Sequence, residues 1–195
     1  MNPKELKDII RRRRSIYPNA YSDAKVDESI IEEMLENANW APTHKLTEPW
    51  RFVVFSGDGL KKLADFQSEL YKKTAEAKGN FNEKTYDMLK TKPLKSSHII
   101  AIGMKRDEEE KLPEIEELSS VAMAVQNMYL TATAHGLGCY WGSGGITYNE
   151  EAKPFFGLGP KDKFLGFLFI GKPSTDEWPE GKRNPIMEKV IWVKQ

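Results

Sequence analysis

Gly136-Leu137-Gly138-Cys139-Tyr140-Trp141-Gly142-Ser143-Gly144-Gly145 is the stretch whose order fixes what kind of fold this chain can have. Upstream of it, Leu118, Val121, Ala122, Val125, Met128, Tyr129 and Ala132 recur at helical spacing and give a wide apolar face. The glycines therefore end a helix and lead into a strand. A dinucleotide-binding fingerprint runs the other way, from strand to helix, with GxGxxG spacing that is absent here. The Rossmann fold is excluded. What the stretch offers is main chain without bulky Cβ groups beside an aromatic pair, which suits a flat ligand pressed against the backbone.

Reading outward, Phe164 to Gly171 and Ser97 to Lys105 are core strands, and Arg51 to Ser56 is a third, closed by Gly57-Asp58-Gly59. The Lys-rich segment from Leu60 to Lys92 is helical in composition and broken at Gly79-Asn80, which predicts a mobile pair of helices, with Phe81 and Tyr86 placed to act as a lid. A helix follows Asp27, with Ile30, Ile31, Met34, Leu35 and Ala38 on one face, and a short one spans Asn149 to Phe156. The tail from Trp178 is irregular but ends in Lys189 to Val193, which can form a strand. The whole, residues 1–195, reads as a single α+β domain.

Composition narrows the function. With 29 basic and 29 acidic residues the chain carries no global field favouring nucleic acid or an anionic membrane. No apolar run is long enough to span a bilayer, and no signal peptide is visible. One cysteine, Cys139, cannot form an internal disulfide, which fits a reducing compartment and makes the cytoplasm the expected address. His44, His98 and His135 lack zinc-type spacing, so no metal is expected.

The charged feature that carries chemistry is Arg11-Arg12-Arg13-Arg14-Ser15, at the end of a helix opened by Asn2, Pro3 and Glu5. At about 100° per residue, Arg13 continues the buried stripe of Leu6, Ile9 and Ile10, and Arg14 lies at its edge, while Arg11 and Arg12 point away. An inward guanidinium must find an anion. A phosphate matches its fork, and Ser15 adds a hydroxyl; an internal Asp or Glu is the competing partner. A second feature is the loop between Pro42 and Pro49, which presents His44 and Lys45 or else is only a turn that seats Trp50 in the core.

Together, Arg13-Arg14-Ser15, Ala41-Pro42 through Pro49-Trp50-Arg51-Phe52, Gly136-Leu137-Gly138 through Trp141-Gly142-Ser143-Gly144, Phe167 to Pro173 and Arg183-Asn184-Pro185 resemble the nitroreductase family in order and spacing, over essentially the whole chain. That resemblance implies a central, mostly antiparallel mixed sheet flanked by helices, with the C-terminal strand exchanged in a homodimer. It implies FMN at the subunit interface, reduced by NADH or NADPH and reoxidised in ping-pong fashion by a small electron-poor acceptor such as a nitroaromatic or quinone. Arg13, Arg14, Ser15 and Arg183 are then expected at the phosphate and the flavin's polar edge. Trp141, Gly142 and Ser143 are expected along the ring system, and His44 and Trp40 reach in from the partner. No side chain is assigned as general acid or nucleophile, because the flavin carries the chemistry. Many members place Lys or Arg two positions after the motif serine, at flavin N1 and O2; this chain has Tyr17, and Arg14 or Lys45 is the expected substitute. The alternative is a flavin carrier, sensor or flavin-modifying enzyme on the same scaffold.

Overall fold

The structure, a computed structural model, describes residues 2–194. Helix α1 (Pro3–Arg12) starts on the expected capping box: the Asn2 side chain accepts from the Lys4 N–H, and Glu5 reaches back to the Asn2 N–H. Helix α2 (Glu28–Asn39) is capped by Asp27 through the Ser29 N–H. Strand β1 (Trp50–Ser56) turns through Gly57, at φ 49°, into α3 (Asp58–Ala77), and α4 (Glu83–Thr91) follows. Strand β2 (His98–Met104), helix α5 (Glu114–Ala134), strand β3 (Gly138–Gly142) and strand β4 (Lys163–Gly171) complete the regular elements.

The strands form one sheet in the order β1-β2-β4-β3, every pair antiparallel. The expected mixed character is confined to one isolated parallel bridge, Ser15 to Cys139, on the outer edge of β3. Alternation sorts β2 between two cores. Ile100, Ile102 and Met104 pack with Leu168, Ile170 and the apolar faces of α2 and α5; Ile99 and Ala101 pack on the other side with Phe167, Phe169 and α3. With both faces covered, β2 is buried throughout and shows no polar alternation in sequence. Helix α3 buries Leu60, Leu63 and Leu70, so it is a wall of the second core rather than a loose flap. Gly136, at φ 69°, ends α5 and lets the chain double back into β3.

Two expectations fail. The stripe of α1 is not buried: Leu6 is 43% and Ile10 49% exposed, because the helix rests on α5 along its margin only. Lys189 to Val193 is not a strand of this chain; it is extended at Val190 but lies against no strand, leaving Ile191, Trp192 and Val193 exposed. No described helix is long and apolar enough to cross a membrane.

Candidate functional site

The end of α1 determines where the arginines go. The helix stops at Arg12, and Arg13 is its extended C-cap, so the wheel argument does not extend to Arg13 and Arg14. They turn inward for another reason. The Ile16 N–H donates to the Cys139 carbonyl at 2.9 Å, which draws residues 15 and 16 onto the edge of β3, and both arginine side chains line a cleft with Gln126 of α5. Arg11, Arg13, Arg14 and Arg183 all line one cleft of about 670 Å³, together with Gln126, Gly181 and Asn184. Arg11 was expected on the surface with Arg12. Only Arg12 points away, its guanidinium 5.0 Å from the Trp178 ring centroid.

No carboxylate lines that cleft, and no described residue forms an ion pair with any of its four guanidinium groups. The internal acidic partner considered for Arg13 does not exist among the described residues. Arg14 donates to the Arg11 and Arg13 carbonyls at 2.6 and 2.7 Å, yet its Nε is buried without a partner. Converging like charges and an orphaned buried donor describe a site built for an anion. The tail closes one side: Trp178 Nε1 donates to the Arg12 carbonyl at 2.5 Å, and Gly181 lies directly on Arg14 where any Cβ would collide with it.

Tyr129 links this cleft to the glycine-rich strand end. Its hydroxyl accepts the Trp141 N–H at 2.6 Å, and the Arg13 guanidinium stands 5.4 Å from its ring centroid. Burial holds the phenol above its ordinary pKa, opposed by hydrogen bonding from Ser15 and from the Trp141 N–H. Sequence reasoning placed Tyr129 in the core and missed this role. The signal was its hydroxyl, which on a buried helix face must find a partner.

Beyond Trp141 the backbone opens. Gly142 is buried, and a side chain at Gly144 would meet nothing within 4 Å. Gly166 on β4, at φ 101°, lies so close to the Gly142 carbonyl that only glycine fits. Trp141 Nε1 donates to the Leu165 carbonyl at 2.8 Å, which turns the indole to the α5 side. On the opposite side a recess of about 80 Å³ is lined by Gly142, Gly144, Gly145, Tyr140 and Lys92. The Tyr17 ring packs against that of Tyr140 at a tilt of 39°, with ring centroids 4.4 Å apart. Of the expected residues, Arg13, Arg14 and Arg183 line the arginine cleft, Gly142 lines the recess, and Trp141 and Ser143 line a third pocket with Leu118, Tyr148 and Leu165.

His44 and Trp40 line none of the three. Trp40 is 78% exposed, bonded only to Glu36, and His44 Nδ1 meets Glu116 Oε2 at 2.6 Å in a separate cleft with Ile115 and Met123. Their loop holds Lys45, Leu46 and Glu48 at φ 51°, 55° and 43°, three non-glycine residues in the left-handed region. Cys139 is fully buried and its thiol pushed well above the ordinary range by desolvation, so it is no nucleophile. The described residues contain no cluster of three His, Cys, Asp or Glu groups placed to hold a metal. The arrangement can hold a planar, phosphate-bearing ligand, and it supplies no acid–base pair of its own.

Known proteins resemble this chain in sequence and in fold. A family model, Nitroreductase family, matches residues 10–172. A Bacillus subtilis (strain 168) protein named "Putative NAD(P)H nitroreductase YfhC" is 33% identical over 186 residues, 94% of this chain and 92% of that one. The crystal structure of a nitroreductase-like family protein from Bacillus cereus superposes with a TM-score of 0.83 at 31% identity, covering 100% of this chain and 99% of the other. A Desulfovibrio desulfuricans structure, described as a nitroreductase family candidate in complex with FMN, gives 0.73 at 25% identity over 100% and 99%.

Proposed function

Since this chain belongs to the nitroreductase family, we propose that it is an FMN-dependent oxidoreductase that takes hydride from NADH or NADPH and passes electrons to a small electron-poor acceptor. The observation that carries the reading is the cleft where Arg11, Arg13, Arg14 and Arg183 converge with no carboxylate, joined through Tyr129 and Trp141 to a glycine-rich turn that is open at Gly144. These residues fit a phosphate at one end and a flat ring at the other. Bound there, FMN supplies the hydride and electron chemistry at its N5.

The chain's own residues position and tune. Arg13, Arg14 and Arg183 hold the phosphate, and the Ser15 hydroxyl faces the polar part of the cofactor. Tyr129 holds the Trp141 N–H with its hydroxyl and carries the Arg13 guanidinium over its ring, and so links the two ends of the site. The glycines at 142, 144 and 145 would let a flat ring approach the main chain. Acceptors such as nitroaromatics or quinones match the flat opening, and their proton comes from solvent, since no described acid serves the site.

The working unit is a single domain, residues 1–195, in a cytoplasmic homodimer. Leu6, Ile10, Trp40, Ile115, Met123 and the apolar tail at 190–193 are exposed, which supports a partner that covers them. A partner covering them would deliver His44 and Trp40 to the other subunit's cofactor and give the tail a sheet edge. Purified protein should be yellow, elute at twice the chain mass, and bleach anaerobically with NADH or NADPH. Colourless protein that takes up no FMN would overturn the cofactor assignment, and yellow protein that neither nicotinamide bleaches would favour a flavin carrier.

A further inference from the structure

A glutamine stands in the apolar stripe of α3. Leu60, Leu63, Ala64 and Leu70 are buried there at helical spacing, and Gln67, in the same stripe, is 4% exposed. A buried amide in such a place must find a partner. Its Nε2 donates at 2.5 Å to the Leu89 carbonyl, in the last turn of α4. The reason lies four residues further on, where a helix would supply the donor for that carbonyl. Residue 93 is proline, which has no N–H and whose ring crowds the carbonyl four positions back. The backbone nevertheless stays right-handed helical at Thr91 and Lys92 and continues as a short 3₁₀ turn, Lys92–Lys95. Gln67 thus supplies, from another helix, the hydrogen bond that Pro93 denies to Leu89.

Leu89 is also where α4 meets the glycine turn. Its side chain is buried, and its Cδ2 lies 2.9 Å from where a Cβ on Gly145 would stand. Gln67, Leu89, Gly142, Gly144 and Gly145 all line the recess of about 80 Å³. We propose that Gln67 is a positioning residue for the cofactor site: by holding the Leu89 carbonyl it fixes the end of α4 against Gly145, and so sets the width of the recess that takes the flat ring. The proposal rests on the flavin reading above. Without the glutamine, the Leu89 carbonyl becomes an acceptor with no donor four residues on, and burying it unpaired is costly. The last turn of α4 then shifts to bring that carbonyl to water, and the recess loses the wall that Leu89 makes.

The test combines Gln67→Leu with Pro93→Ala, which gives position 93 an N–H of its own. Two quantities are read on the full chain: FMN affinity by fluorescence quenching, and hydrogen exchange of the α4 amides in flavin-free protein. Gln67→Leu should weaken FMN about tenfold. It should also speed exchange at residues 88–92 by about tenfold, while the amides of β2 and β4 keep their protection. Pro93→Ala alone should leave both readings within about twofold of wild type. In the Gln67→Leu background Pro93→Ala should restore both, because Leu89 regains a donor within its own helix. Packing lost at position 67 would not be mended by a change at position 93. Gln67→Leu protein with unchanged FMN affinity, or with a loss that Pro93→Ala does not repair, overturns the proposal. If Gln67→Leu does not fold, Gln67→Met is read the same way. Wild-type protein that takes up no FMN would instead refute the reading on which this rests.

Discussion

Alanine at Arg13 and at Arg12 should have very different effects on FMN binding, although the residues are adjacent and carry the same charge. Arg13 lines the anion cleft, is partly buried, and has no acidic partner to lose. Each charge-assisted hydrogen bond to a phosphate contributes about 1.5–3 kcal/mol. Losing one two-pronged contact therefore costs about 3 kcal/mol, or roughly a hundredfold in Kd. Arg12 is exposed, and its contact is the Trp178 ring, an exposed cation–π pair of about 0.5–1 kcal/mol. Its removal loosens the tail and should weaken FMN by less than about fivefold. Arg11 lines the cleft from the exposed helix end and should fall between, near tenfold. The assay is quenching of FMN fluorescence by apoprotein, at low and at high salt, with the apoprotein thermal midpoint as control. Equal losses from Arg12→Ala and Arg13→Ala, at unchanged thermal midpoints, would refute the claim that cleft geometry rather than local charge binds the phosphate.

Two further outcomes concern stability. Glu117 is fully buried and pairs with Arg106 while accepting the Asp107 N–H at 2.9 Å; Arg106→Met leaves that carboxylate without its cation and should cost about 3–5 kcal/mol in urea unfolding, so a loss below about 1 kcal/mol would count against the pair's role. His98 is buried beside Ser97 and held below its ordinary pKa of 6.5, first by desolvation. The unfolded chain therefore binds a proton before the folded one, so stability is complete above about pH 6.5 and falls as pH drops below it; the urea midpoint should drop between pH 7 and 5, and His98→Asn should flatten that slope.

Much of this architecture is legible in the sequence because its signals are local. The box of Asn2 and Glu5, the Asp27 cap, the glycine after α5 and the two-sided run of β2 each depend on neighbours within a turn or on burial. The arginine cleft was reached for an incomplete reason. Helical phase was carried past Arg12, where the helix ends, and what turns Arg13 inward is a backbone bond from Ile16 to Cys139, more than a hundred residues away. The same non-local cause hid Arg11's place in the cleft, the hydroxyl bridge of Tyr129 and the seat of Lys92 over Tyr140. None of these has a spacing rule, because each depends on which strand edges and helix ends meet.

What the chain leaves unmet points in one direction. Four guanidinium groups share a cleft that no described carboxylate lines, three side-chain-bearing residues of one loop sit at positive φ, and Trp192 and its neighbours are exposed. Each costs free energy in an isolated subunit: charge repulsion in the first, backbone strain of about 1–3 kcal/mol per residue in the second, and exposed apolar area in the third. A stable fold tolerates such costs where a later partner relieves them. On the proposed reading a phosphate would relieve the first, and a second copy of the chain would relieve the third while giving the strained loop something to press against. On the proposed reading, cofactor and partner are therefore coupled. Arg183 reaches the cleft on the same tail that bears the exposed Trp192, so an anion in the cleft would order the segment the proposed dimer needs. Loss of flavin should then loosen the tail before it loosens the sheet, whose two cores contain none of the arginines.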